Sequence, residues 1–229
     1  MVAPGRMTSG VVLPLPFTGR WLVQNSPARR VPSHGTDLLG STYAIDFVGV
    51  GPGRATADRV DWRTVLATEP NERFFGFGRP VLAPVGGEVV ASHDGEADHA
   101  ARRGVSAFPY LWTQAARARQ GPAALAGNHV GIALPGGRAF VFLVHLRQGS
   151  VRVQVGERVR LDDVVGLCGS SGNSTQPHVH LQVNDGLDVT RSQGVPVTFR
   201  DFREEPRRGP GLDRRQGLPA DGSAVERLG

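Results

Sequence analysis

The sequence predicts an all-β domain of short antiparallel strands, arranged as a sandwich or open roll. Three observations predict it. Glycine supplies 31 and proline 17 of the 229 residues, too many breakers for long helices. Apolar and polar residues alternate with period two in several runs, most clearly residues 151–159 and 178–183. Residues 128–134 and 139–146, both β-branched and apolar, flank a Pro-Gly-Gly-Arg turn and read as a hairpin.

Taken in order, residues 11–17 and 19–24 are short strands broken by turns, and Pro14 and Pro16 confine the first to a sheet edge. Residues 33–37 are turn-like and lead into an apolar strand at 43–50. There Asp46 is the anomaly, since a carboxylate among apolar residues needs a partner. Residues 51–79 form a long polar connection, and 81–92 read as strand, Gly-Gly turn, strand. Residues 93–126 read as an insertion that forms a rim, with a short surface helix over 112–119 and with His93 and His99 on the surface. Residues 151–159 and 161–168 add further strands. From Pro206 the composition shifts to Arg, Pro, Gly and Asp, which predicts a disordered tail over 206–229. The expected plan is an N-terminal extension with short strands (1–32), a main β domain (33–205) and that tail.

Composition excludes several functions. The formal charge is +5 and every one of the 26 basic residues is Arg, but the charge is dispersed without interleaved aromatics, so no nucleic-acid partner is expected. No run is long enough to span a membrane. No secretory signal is visible after Met1, so the expected location is cytoplasmic, or outside by a non-classical route. The single Cys168 allows neither an intrachain disulfide nor a thiolate zinc cluster and reads as a buried thiol. Gly169-Ser170-Ser171-Gly172 has no following Lys or helix and is not a phosphate loop.

The chemistry gathers at His178-Val179-His180. On a strand both imidazoles project to one face, about 7 Å apart at strand rise, while Val179 and Leu181 project to the other. Imidazoles so placed can serve one metal ion or act as acid and base. His34, Asp46 and His145 are the other groups able to join them. His129 opens a strand and either lines the cleft or packs. Asn173 and Ser174 shape the turn before His178.

These motifs, in this order, resemble the lysostaphin-type (LytM-like) zinc endopeptidases. The resemblance rests on His34 and Asp46, on Val144-His145-Leu146, and on the run from Val165 through Gly169-Ser170-Ser171-Gly172 to His178-Val179-His180. Residues 82–90 and 127–130 add to it, and it spans roughly 33–185. It implies a sheet of the duplicated hybrid motif type. It also implies zinc held by His34, Asp46 and His180. His145 and His178 are then the catalytic imidazoles, one a general base and one stabilising developing charge. Asp37 is the competing carboxylate, and the strand around Asp46 favours Asp46. The implied activity is hydrolysis of peptide cross-links in peptidoglycan. The alternative is a non-catalytic domain on the same fold that binds peptidoglycan or activates another hydrolase. A biotinyl or lipoyl carrier shares the sheet motif but is modified on Lys, which the chain lacks.

Overall fold

Where apolar residues recur at every second position, the chain is strand, and the strands stack in the order their pairing dictates. The computed structural model describes residues 10–104 and 122–228. The expected helix over 112–119 lies outside the described residues. In chain order the elements are β1 (Val11–Pro14), β2 (Trp21–Gln24), β3 (Ile45–Gly49), α1 (Trp62–Leu66), β4 (Pro80–Leu82), β5 (Gly87–His93), α2 (Pro122–Ala126), β6 (Asn128–Ala133), β7 (Phe140–Leu146), β8 (Arg158–Val159), β9 (Val164–Leu167), β10 (Val179–Asn184), β11 (Val197–Glu205), β12 (Leu212–Gly217) and β13 (Ala224–Arg227). Among the described residues one sheet runs β1-β11-β13-β2-β3-β10-β7-β6-β5-β8, with β12 also paired to β11, and β4 pairs β9 in a second, two-stranded sheet. The all-β class is borne out, with one parallel pair among the described residues, β1 on β11. No helix of the described residues is long and apolar enough to cross a membrane.

One face of the large sheet builds the core. Val179, Leu181 and Val183 of β10, Val141 and Leu143 of β7, and Ile45 and Phe47 of β3 are all essentially inaccessible and share one cluster. Val81 and Val165 of the small sheet join it, as do Phe17, Trp21 and Phe199. Phe17 stacks on Trp21 at 4.5 Å between ring centroids and meets Phe47 edge-on at 4.9 Å. Cys168 is buried there as expected, and burial pushes its thiol up, away from reactivity.

Two sequence expectations need correction. The expected disordered tail, 206–229, is ordered over its described residues, 206–228: β12 and β13 lie there, β12 pairing β11 and β13 bridging β11 to β2. All but the last residue of β12 are exposed, so no hydrophobic period betrays it. Its hold comes from the ladder and from ion pairs Arg203–Asp213 and Arg214–Glu204 on the neighbouring strand. Residues 151–159 alternate, yet only Arg158–Val159 join a ladder; the rest is held from the side, Val151 N–H donating to Asp94 and Ser92 Oγ to the Val153 carbonyl.

Candidate active site

The polar face of β10 forms the floor of a cleft of about 580 Å³. Strand alternation puts His180, Gln182 and Asn184 on this face, and His178, just before the strand, continues it. Antiparallel register sets His180 directly beside Asp46 of β3. Paired residues in an antiparallel ladder keep their Cβ atoms roughly 5 Å apart, close enough for short side chains to meet. His180 Nδ1 lies 2.9 Å from Asp46 Oδ1. His34, in the turn ahead of β3, brings Nε2 to 3.0 Å from Asp46 Oδ2. The three residues offer ligand atoms that all lie within 4.8 Å of one another. Asp37, the competing carboxylate, is exposed and accepts from Thr42 Oγ1 instead.

Outer partners fix which ring atoms face inward. Ser33 Oγ sits 2.9 Å from His34 Nδ1 and 3.3 Å from the Ser41 carbonyl, to which it donates. It therefore accepts from Nδ1–H and leaves the His34 Nε2 lone pair toward Asp46. Gln182 Oε1 accepts from His180 Nε2–H at 3.0 Å. Asn25 Nδ2 donates to Asp46 Oδ2 at 2.7 Å. The result is two imidazole lone pairs and a carboxylate aimed at one another. Acceptors so crowded need a cation between them. Nitrogen, nitrogen and oxygen donors at this spacing suit a tetrahedral divalent ion such as zinc, with one position left open. A proton can serve the same purpose: burial pushes the His180 pKa down, but the hydrogen bond and charge of Asp46, with Gln182, raise it overall. Burial likewise pushes Asp46 up, but the His34 and His178 charges and hydrogen bonds from His180 and His34 hold it well below the usual carboxylate range.

His145 reaches the cleft by a different route. Along β7, Leu143 faces the core and Val144 the cleft, so strict alternation would turn His145 inward. The ladder with β6 pairs Asn128 with Leu146 and His129 with Val144, leaving His145 as an extra residue. This is a β-bulge with His145 at φ 64°, a left-handed conformation costly for a residue with a Cβ. The bulge delivers His145 to the cleft beside Val144 and returns Leu146 to the core. His145 Nδ1–H donates to the Ser171 carbonyl at 2.9 Å, and His178 Nδ1–H to the Gln176 carbonyl at 2.8 Å with Ser174 Oγ alongside at 3.0 Å. Both rings therefore hold their Nε2 lone pairs toward the cleft. Their centroids are 4.7 Å apart, and His178 Nε2 is 3.7 Å from Asp46 Oδ1. Burial, reinforced by neighbouring imidazoles, pushes the His145 pKa well below 6.5 and that of His178 below it also.

The loop carrying Ser171 is itself tied down. Asp98 accepts from Ser170 N–H at 2.6 Å and from Gln148 N–H at 3.0 Å, and His99 Nε2–H donates to the Gly172 carbonyl at 2.7 Å. A Cβ on Gly127 would lie 2.5 Å from Ser171 Oγ, so glycine there permits the close approach. His99 is thus a half-buried brace rather than a surface residue. His93 is part-exposed, pairs with Glu96 at 3.2 Å and stacks on His129, which lines the cleft.

The structure brings all five expected residues, His34, Asp46, His145, His178 and His180, into one cleft. Sequence reading missed Asn25, Gln182 and the Ser171 carbonyl. Only Gln182 left a signal, as the next residue on the His178–His180 face.

Residues 112–197 match Peptidase family M23, a stretch that holds His145, His178 and His180, while His34 and Asp46 precede it. The lysostaphin-type resemblance is borne out over that stretch. Among solved structures, the chain is similar to the catalytic domain of the antimicrobial peptidase lysostaphin from Staphylococcus simulans, at 17% identity over 77% of this chain and 88% of that one, TM-score 0.39. It is also similar to a mutant catalytic domain of a prophage-encoded M23 protein from Enterococcus faecalis, at 21% identity over 62% and 94%, TM-score 0.35. A zinc-containing peptidase from Vibrio cholerae matches at 17% identity over 66% and 48%, TM-score 0.33. No curated protein sequence matches the chain.

Proposed function

From the match of residues 112–197 to Peptidase family M23, we propose that the chain is a zinc-dependent endopeptidase that hydrolyses peptide bonds in peptidoglycan cross-links. The observation that carries this reading is the convergence of His34 Nε2, an Asp46 oxygen and His180 Nδ1 beside two neutral imidazoles whose Nε2 atoms face the same space. His34, Asp46 and His180 would hold the ion. When bound, zinc supplies Lewis acidity to the scissile carbonyl and to the attacking water.

The remaining work falls to the chain. The backbone carbonyls of Ser171 and Gln176 hold His145 and His178 in the tautomer whose free lone pair can take a proton from water. The lowered pKa values keep both rings neutral at neutral pH. One ring accepts the water proton. The imidazolium so formed carries an Nε2–H, which can stabilise the developing oxyanion and then pass to the leaving amine. Phe142 and Val144 give this space an apolar wall, which strengthens electrostatic interactions within it.

The test is metal analysis of the purified full chain together with release of muropeptides from isolated cell walls. We expect about one zinc per chain, as for a three-ligand catalytic site, with loss of both the zinc and the release in His180→Ala. A wild-type chain that holds no zinc, or a variant unchanged in both measurements, refutes the assignment. A chain that binds walls without cutting them is the non-catalytic alternative.

A further inference from the structure

Resting on the zinc-site reading above, we propose that Gln182 is a positioning residue: its side-chain amide fixes the ring tautomer of His180 and so decides which imidazole nitrogen is offered to the metal.

The amide has only one workable orientation. Gln182 Nε2 lies 2.8 Å from the Leu39 carbonyl and 2.9 Å from Asn184 Oδ1. A backbone carbonyl can only accept, so the side facing Leu39 is the NH2 group. Asn184 is held in turn: its Nδ2 donates to Ser192 Oγ at 2.7 Å and to the same Leu39 carbonyl at 3.2 Å, leaving Oδ1 to face Gln182. Oε1 is therefore the atom that meets His180 Nε2, at 3.0 Å. An oxygen acceptor there requires a proton on Nε2. A neutral His180 then carries its free lone pair on Nδ1, 2.9 Å from Asp46 Oδ1 and in the cluster with His34. Ligand histidines commonly have the other ring nitrogen held in this way, and losing the partner costs roughly 10–100-fold in metal affinity.

The anchor of the relay is unusual backbone. Leu39 and Gly40 both take left-handed conformations, at φ 57° and 71°, in the segment that follows His34. A Cβ on Gly40 would lie 2.1 Å from Asn184 Nδ2, so this approach needs glycine. The Leu39 carbonyl thus receives both amides of the β10 face. The turn that carries one ligand orients the other through Gln182. All of these atoms are on buried or part-buried groups, where an unmatched acceptor pair is costly.

Two substitutions separate this role from mere packing. Gln182→Glu keeps an oxygen for His180 Nε2–H but loses the donors to Leu39 and Asn184. Gln182→Leu loses both. Zinc affinity is measured on the folded full chain by competition with a chromogenic chelator. We expect a roughly 10–100-fold loss for Gln182→Leu and a smaller loss for Gln182→Glu, in which an oxygen still meets His180 Nε2–H. Equal affinity of parent and Gln182→Leu overturns the proposal, and so does Gln182→Glu binding as poorly as Gln182→Leu. Should neither variant fold, nitrogen NMR of the zinc-stripped parent chain decides: neutral His180 is expected with its proton on Nε2, and a proton on Nδ1 overturns the proposal. Failure of the zinc-site reading looks different, since the parent itself would then bind no zinc.

Discussion

The two halves of the cleft hold their imidazoles by opposite means. His34, Asp46 and His180 are oriented by side chains: the Ser33 hydroxyl and the amides of Asn25 and Gln182. His145 and His178 are oriented by backbone carbonyls of Ser171 and Gln176. The first half grows from regular ladder, where register sets Asp46 and His180 side by side. The second grows from a bulge and a loop, where the ladder is interrupted. On the proposed reading the first half grips an ion, and partners that hold the outer ring nitrogen raise the basicity of its ligands. On that reading the second half exchanges protons. A carbonyl accepts only, so each ring returns to the same tautomer after every cycle.

The comparison is broken most severely by truncating the second half. His145→Ala and His178→Ala are each expected to lower muropeptide release by about 10²–10⁴-fold, the usual contribution of a positioned acid or base. Bound zinc should persist in both, in contrast to His180→Ala; metal analysis beside the activity assay checks this, and zinc loss in either variant would merge the two halves into one. A milder break acts through the loop. Asp98→Ala removes the acceptor for Ser170 and Gln148 and frees the segment that presents the Ser171 carbonyl. We expect kcat to fall roughly tenfold from the misplaced imidazole, with zinc affinity unchanged. An effect on zinc with no effect on kcat would reverse the assignment. The smallest effect is on the pH profile. A lowered pKa keeps an imidazole neutral, and so able to accept a proton, at lower pH. The acidic limb of kcat/KM should therefore fall below pH 6.5, the ordinary histidine value, and a limb above it contradicts the burial seen at His145 and His178.

Legibility in the sequence followed the same division. β3, β6, β7 and β10 announce themselves because each presents a core face at every second residue. Asp46 stood out as a carboxylate in such a run, and His178 and His180 as polar residues in phase. The bulge at His145 could not be read, because alternation assigns that residue to the core side and one extra residue leaves no compositional trace. β12 was invisible for the opposite reason. It buries almost nothing, so a run such as Leu-Asp-Arg-Arg-Gln-Gly looks like a solvated tail while the ladder and its ion pairs hold it in place. Gln182 was in plain view on the right face. Only the positions of Leu39 and Asn184 show which way its amide must point.

The extra residue in β7 also limits how this protein can vary. With it, Val144 and His145 both open onto the cleft while Leu143 and Leu146 stay inside. An uninterrupted strand would keep Val144, opposite His180, on the cleft face but turn residue 145 toward the core and residue 146 outward. Single-letter replacements in this stretch leave that arithmetic alone. Gain or loss of one residue rewrites it at a stroke, so descendants and engineered versions of this chain should differ here in spelling and never in length.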